Sequence, residues 1–169
     1  MKKNLVLLGM MGVGKSTLGK IVSKKQNLEF VDIDKSIEKK NSMTISEIFE
    51  KKGEKFFRAE EQNEVLKCLE KKNCVIALGG GAFINKTLRE NILKNAVSIW
   101  LDVNIKTLIK RVKWSKKRPL LKNVNNQKKM RDLYYKRKNI YKLANNKIKC
   151  DSLEKENIVK KIIDLYEKY

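Results

Sequence analysis

One stretch near the amino end limits what this chain can fold into more than any other. Residues 5–19 read Leu-Val-Leu-Leu-Gly-Met-Met-Gly-Val-Gly-Lys-Ser-Thr-Leu-Gly. The apolar run has the pattern of a buried parallel strand, and the residues after Gly14 read as a helix start. Between them, from Gly9 to Ser16, stands G-x-x-x-x-G-K-[ST], the spacing of a phosphate-binding loop. The backbone must curl there so that several N–H groups face one anion, and side chains at Gly12 and Gly14 would obstruct that curl. The helix behind adds positive potential at its amino end. Lys15 has the reach for β- and γ-phosphates, and the Ser16 hydroxyl suits Mg²⁺. A nucleoside triphosphate ligand follows from these residues, while the reaction done with it does not.

The rest of the chain alternates between strand-like and helical segments. A helix is expected to run to about Gln26, with Leu18, Ile21 and Val22 on its buried side. Residues 29–34 read as a second strand ending in two carboxylates, Asp32 and Asp34, which on a straight strand share a face. A short helix is expected over 36–40. Thr44-x-x-Glu47 fits a capping box that opens another helix, and Gly53 ends it. Residues 54–72 read as a longer helix, with Phe57, Glu61, Val65, Leu66 and Leu69 at helical spacing. A third strand, 74–78, leads straight into Gly79-Gly80-Gly81. Helices over 87–94 and 104–112 flank a fourth strand at 96–101. Residues 113–122 hold the only proline, Pro119, lack a clean period and read as a mobile loop. A helix over 126–144, a fifth strand over 147–150 and a helix over 155–168 close the chain.

Such alternation, with buried-type strands, means an α/β protein with a parallel sheet covered on both faces. Ligands bind such sheets at the carboxyl ends of the strands. The phosphate loop, the aspartate pair and the glycine triplet are therefore expected to converge on one cleft.

Composition narrows the chemistry. The 169 residues suit one domain. No apolar run approaches the length of a membrane span, and the run before Gly9 leads into the phosphate loop rather than a cleavage site, so a cytoplasmic protein is expected. Cys68, Cys74 and Cys150 are scattered, and the chain has no histidine, which argues for buried thiols over a zinc site. Without histidine, a general base has to be a carboxylate, a lysine or the substrate itself.

The net charge is +21, and residues 106–149 hold 17 basic side chains against Asp132 alone. Such a field fits either a nucleic-acid partner or the approach of small anions to a cleft. No nucleic-acid recognition motif accompanies it. Lysine is the default cation, so the six arginines mark places where the planar fork matters. Of these, Arg89 and Arg131 read as surface residues.

The motifs in order are GMMGVGKST (9–17), DID (32–34), SEIFEKKGEKFFRAEE (46–61), LGGG (78–81), R-x6-RPLL (111–121) and YYKRKNIYKLA (134–144). Together they resemble the shikimate kinases over nearly the whole chain. The resemblance implies an α/β chain with the three-layer α/β/α P-loop kinase fold of the nucleoside-monophosphate-kinase type. It implies a five-stranded parallel sheet in the order 2-3-1-4-5 and a mobile lid. In a single domain spanning 1–169, the substrate-binding helices would cover about 34–60 and the lid about 112–125.

The implied reaction transfers the γ-phosphoryl of ATP to the 3-hydroxyl of shikimate. It would use Mg²⁺, in a cytoplasmic monomer without a nucleic-acid or membrane partner. Carried over by motif, Gly12, Val13, Gly14, Lys15, Ser16 and Thr17 would bind ATP, and Ser16 and Asp32 would serve Mg²⁺. Asp34 would hold the substrate hydroxyls and act as base. Arg58 and Arg137, with Gly79, Gly80 and Gly81, would bind the substrate carboxylate. Arg118 would reach the phosphates from the lid, and Arg111 would lie along the adenine. Lys15, Asp34 and Arg118 would form the catalytic set. Asn139-Ile140 stands where the family usually has Pro-Leu. Another small-molecule kinase of similar fold, acting on gluconate or a nucleotide, is the alternative, although paired arginines favour a carboxylate substrate.

Overall fold

The structure is a computed structural model that describes residues 3–113 and 124–169. The sequence expectations for the lid loop, including Trp114, Arg118 and Pro119, fall outside the described residues. The elements run β1 (Asn4–Leu8), α1 (Lys15–Gln26), β2 (Glu29–Asp32), α2 (Ile33–Asn41), α3 (Ile45–Glu70), β3 (Cys74–Ala77), α4 (Lys86–Asn95), β4 (Ala96–Asp102), α5 (Ile105–Lys113), α6 (Val124–Tyr141), β5 (Asn146–Lys149) and α7 (Lys155–Tyr166). A 3₁₀ turn at Ala82–Ile84, not foreseen from the sequence, follows the glycine triplet.

All five strands are parallel, in the order β2-β3-β1-β4-β5. Leu5 of β1 stands between Val75 of β3 and Val97 of β4. These three central strands are buried along nearly their whole length, as a sheet covered on both faces requires. Helix α1 packs with α7 and α3 packs with α4, so the sheet lies between two helical layers. Trp100 of β4 is among the largest fully buried side chains.

The amino end of β1 is tied to the carboxyl end of α3 by one buried amide. Asn4 Nδ2 donates to the carbonyl oxygens of Cys68 (3.1 Å), Leu69 (3.3 Å) and Lys71 (2.7 Å). Asn4 Oδ1 accepts from the Cys74 N–H at 3.0 Å. The last carbonyls of a helix have no partner within it, and here a side chain from the sheet supplies one.

The structure corrects one strand boundary that bears on function. β2 ends at Asp32, because the Asp32 carboxylate accepts from the Lys35 N–H at 3.3 Å and caps α2. Asp34 therefore lies in the first turn of α2, and the shared strand face expected of Asp32 and Asp34 does not exist. The capping box at Thr44–Glu47 is present. Gly53 (φ 81°, ψ 167°) breaks the path of α3 where a stop was expected. Helix α6 runs unbroken through Asn139 and Ile140 to Tyr141, ending three residues before the expected boundary. Among the described residues, no helix is long and apolar enough to cross a membrane.

Candidate active site

After Leu8 the chain turns through Gly9 (φ 143°), Gly12 (φ 82°) and Gly14 (φ 101°). At Gly9 a Cβ would stand 2.7 Å from the Leu101 carbonyl oxygen. At Gly14 only the Leu18 side chain approaches, at 3.7 Å, so the left-handed backbone rather than lack of space demands glycine there. Among the described residues, the N–H groups of Gly12, Gly14 and Ser16 meet no acceptor. They form a ring of donors at the amino end of α1, the arrangement that holds phosphate.

Lys15 folds back over this ring, with Nζ donating to Gly9 O at 2.8 Å and Met10 O at 3.0 Å. The Ser16 hydroxyl donates to Asp32 Oδ2 at 2.5 Å. This hydroxyl–carboxylate pair offers the hard oxygen ligands that suit Mg²⁺, which takes one or two protein ligands and completes its shell with phosphate and water. Val13 is buried beneath the loop, whereas Thr17 is exposed on α1.

A second wall is built from α2, α3, α6 and the glycine triplet. A Cβ on Gly79 would overlap Glu61 Oε1 and stand 2.7 Å from Asp34 Oδ1, so the two carboxylates flank one spot. A Cβ on Gly80 would lie 3.0 Å from Arg137 Nη1, and one on Gly81 would lie 2.5 Å from Arg58 Nη1. The structure thus brings together Asp34, Arg58, Arg137 and the triplet, as the sequence leads one to expect.

Arg58 is held on both sides: Nη1 donates to Glu61 Oε2 at 2.7 Å, and Nη2 donates to Glu54 Oε1 at 3.2 Å. Its guanidinium also sits 5.2 Å from the Phe57 ring centre. Burial works against the Arg58 charge, but Glu61 and Glu54 outweigh it and hold the guanidinium above its ordinary pKa. A cavity of about 400 Å³, lined by Arg58, Glu61, Gly81, Leu88, Leu133 and Arg137, opens at this end of the wall.

Two residues of this wall went unassigned in the sequence reading. Glu61 is 2% exposed, and its Oε1 has no hydrogen-bond partner among the described residues. Burial pushes its carboxyl above the usual range, against the pull of Arg58 and with a further push from Asp34. The signal was a charged residue at a position whose helical spacing is otherwise apolar. Tyr141 is the other: its hydroxyl donates to the Gly80 carbonyl oxygen.

Arg89 corrects a surface assignment. It is half-buried and donates to Phe83 O (3.1 Å) and Ile84 O (3.0 Å), bracing the 3₁₀ turn behind the triplet. Arg131 is exposed as expected. Arg111 stands exposed on α5, and its charge is felt at Cys150 beside the end of β5.

A family model described as shikimate kinase matches residues 11–167. The chain belongs to the shikimate kinase family. A shikimate kinase of Sulfurihydrogenibium sp. is 42% identical over 161 residues, covering 95% of this chain and 96% of that one. The solved shikimate kinase of Acinetobacter baumannii, described as a complex with shikimate, has a TM-score of 0.91 at 32% identity and covers 99% of this chain and 94% of its own. A gluconokinase of Sinorhizobium meliloti shares the fold alone, with a TM-score of 0.59 at 12% identity, covering 98% of this chain and 92% of that one. The gluconate alternative therefore has no support beyond architecture.

Proposed function

We propose that this member of the shikimate kinase family transfers the γ-phosphoryl of ATP to the 3-hydroxyl of shikimate, giving shikimate 3-phosphate and ADP. The observation that carries the reading is the second wall. Two arginines and two carboxylates surround a glycine turn, facing a phosphate loop on the neighbouring strand. Shikimate is a small polyhydroxylated carboxylate, and this wall has a fork for the carboxylate and acceptors for the hydroxyls.

The phosphate loop takes the triphosphate on the N–H groups of Gly12, Gly14 and Ser16, with Val13 and Thr17 shaping its floor and rim. Lys15 exchanges the Gly9 and Met10 carbonyls for phosphate oxygens. Mg²⁺, held by Ser16 and Asp32, would supply charge neutralisation on the phosphates. Arg58 and Arg137 hold the substrate carboxylate against Gly79, Gly80 and Gly81, and Asp34 accepts from the hydroxyls. The 3-hydroxyl oxygen then bonds to the γ-phosphorus as the bond to the β,γ-bridging oxygen breaks, and its proton passes to Asp34. Phosphoryl transfer asks the protein mainly for positioning and positive charge, which Lys15 and Arg118 would supply. Arg118 lies outside the described residues and belongs to the proposal, as does Arg111 along the adenine. So do the lid at about 112–125, the substrate helices at about 34–60, one domain over 1–169 and a cytoplasmic monomer that needs no nucleic acid or membrane.

The test is ADP production from Mg-ATP with and without shikimate. Shikimate-dependent turnover is expected. A protein that binds ATP yet shows no turnover with shikimate overturns the assignment.

A further inference from the structure

Tyr141 is the last residue of α6, four after Arg137, and the reaction described above gives it no part. Its side chain is 1% exposed, and a phenol that deep needs a partner. It has three neighbours of consequence. Its hydroxyl donates to the Gly80 carbonyl oxygen, the Arg137 guanidinium borders the same Gly80 position and its charge is felt at the hydroxyl, and the Met10 sulfur lies 4.0 Å away. The ring rests against Trp100 of β4, centres 6.0 Å apart and tilted by 49°. Burial pushes the phenol up to about 12, against the pull of Arg137, so it remains a neutral donor at working pH.

The two walls meet at this point. The position a Gly80 Cβ would take lies 3.0 Å from Arg137 Nη1, 3.8 Å from Gly9 O and 3.8 Å from the Tyr141 hydroxyl. A trans peptide is planar, so its C=O and N–H point in opposite directions. Drawing Gly80 O toward α6 turns the Gly81 N–H away from α6. That N–H meets no acceptor among the described residues, and the Arg58 guanidinium stands where a Gly81 Cβ would go.

We propose that Tyr141 is a positioning residue for the substrate carboxylate, fixing the Gly80–Gly81 peptide and tying it to Arg137. The N–H donor and the guanidinium then meet the carboxylate in one geometry. The inference rests on the reading of Arg58 and Arg137 as the carboxylate site. Without the hydroxyl, the peptide is released to rotate and Arg137 loses its neighbour. The carboxylate then has to order both on binding, which costs affinity for the acceptor and leaves the nucleotide side untouched.

Tyr141→Phe removes the hydroxyl alone and keeps the ring on Trp100. The KM for shikimate should rise about five- to tenfold, the loss of one buried hydrogen bond, while kcat and the KM for ATP stay within about twofold. Combined with Arg137→Lys, the two effects should fall short of additive, because they act on one assembly. An unchanged shikimate KM, or equal rises in both KM values, overturns the proposal. ADP affinity measured by calorimetry on the same sample separates positioning from scaffolding. A variant that loses ADP binding together with shikimate use marks Tyr141 as a core prop and also overturns it. Failure of the underlying reading would appear in the unaltered protein, as absence of shikimate turnover.

Discussion

The cleft is bounded by two glycine-rich turns at the carboxyl ends of neighbouring strands, and glycine is required in them for opposite reasons. In the phosphate loop after β1, Gly9, Gly12 and Gly14 take left-handed φ values, and the open N–H groups of Gly12, Gly14 and Ser16 are the proposed binding surface. In the triplet after β3, none of the three glycines has positive φ. They are small because Glu61, Asp34, Arg137 and Arg58 crowd against them. In the proposed function the first turn is a backbone site that binds through its own curvature. The second is a surface against which side chains from α2, α3 and α6 are laid, and there the side chains would bind. The donors of the backbone site meet no acceptor among the described residues. In the side-chain site charges engage one another, as Glu54 and Glu61 do with Arg58, so a ligand competes with a partner already in place.

Substitutions can break or sharpen that contrast. The largest effect is expected from Asp34→Asn, which should lower kcat about a thousandfold through loss of the proton acceptor while ADP affinity stays within about twofold. A rate near that of the unaltered protein would remove Asp34 from the chemistry. Arg58→Ala should raise the KM for shikimate about a hundredfold and leave that for ATP unchanged, measured by the same ADP assay. Equal rises would mean that the two walls are one site.

Gly79→Ala tests the crowding argument directly. The added methyl would strike the two carboxylates, so kcat/KM for shikimate should fall about thirtyfold with little change for ATP. Near-normal kinetics would show that the wall yields.

A fourth effect concerns pH. Arg58→Met leaves the buried Glu61 carboxylate without its main partner, so its already raised pKa climbs further. The protonated acid is tolerated in the fold below that pKa, and stability is lost as pH rises through it. The variant should lose about 2 kcal/mol at pH 8, a discounted figure because Arg58 is 37% exposed, and less at pH 5. Equal losses in melting temperature at both pH values would contradict the sign. The smallest effect is expected from Glu54→Gln. Its pair with Arg58 is exposed, so the shikimate KM should drop by less than about twofold, as a competitor of the substrate carboxylate is weakened.

The contrast also explains what could be read without coordinates. The phosphate loop is local: eight consecutive residues, Gly9 to Ser16, specify its conformation, and the motif announces it. Most element positions followed from alternation, and the sheet order only from the resemblance to a known family. The second wall is assembled from positions 34, 58, 79–81 and 137, and no short-range pattern ties them together. The strand-end rule linked Asp34 to the glycine triplet beforehand, and only the family resemblance added Arg58 and Arg137. Glu61 and Tyr141 went unassigned because burial is a tertiary property: a glutamate on an apolar helix face and a tyrosine one turn past an arginine look like packing. Asp34 was placed on the wrong element because a capping aspartate ends a strand as readily as it continues one. Arg89 looked like a surface residue because its partners are backbone carbonyls, which carry no side-chain signature.

Asn4 touches nothing in the cleft, yet it stands at the far end of β1 from Gly9 and holds the tail of the helix that bears Arg58 and Glu61. From Asn4 to Gly9 the five residue steps of β1 span about 16 Å. In the proposed function β1 would therefore act as a ruler: one end sets where the nucleotide sits, and the other holds the end of the helix that bears Arg58. The gap across which a phosphoryl group would jump is then gauged at the amino ends of the strands, away from the cleft.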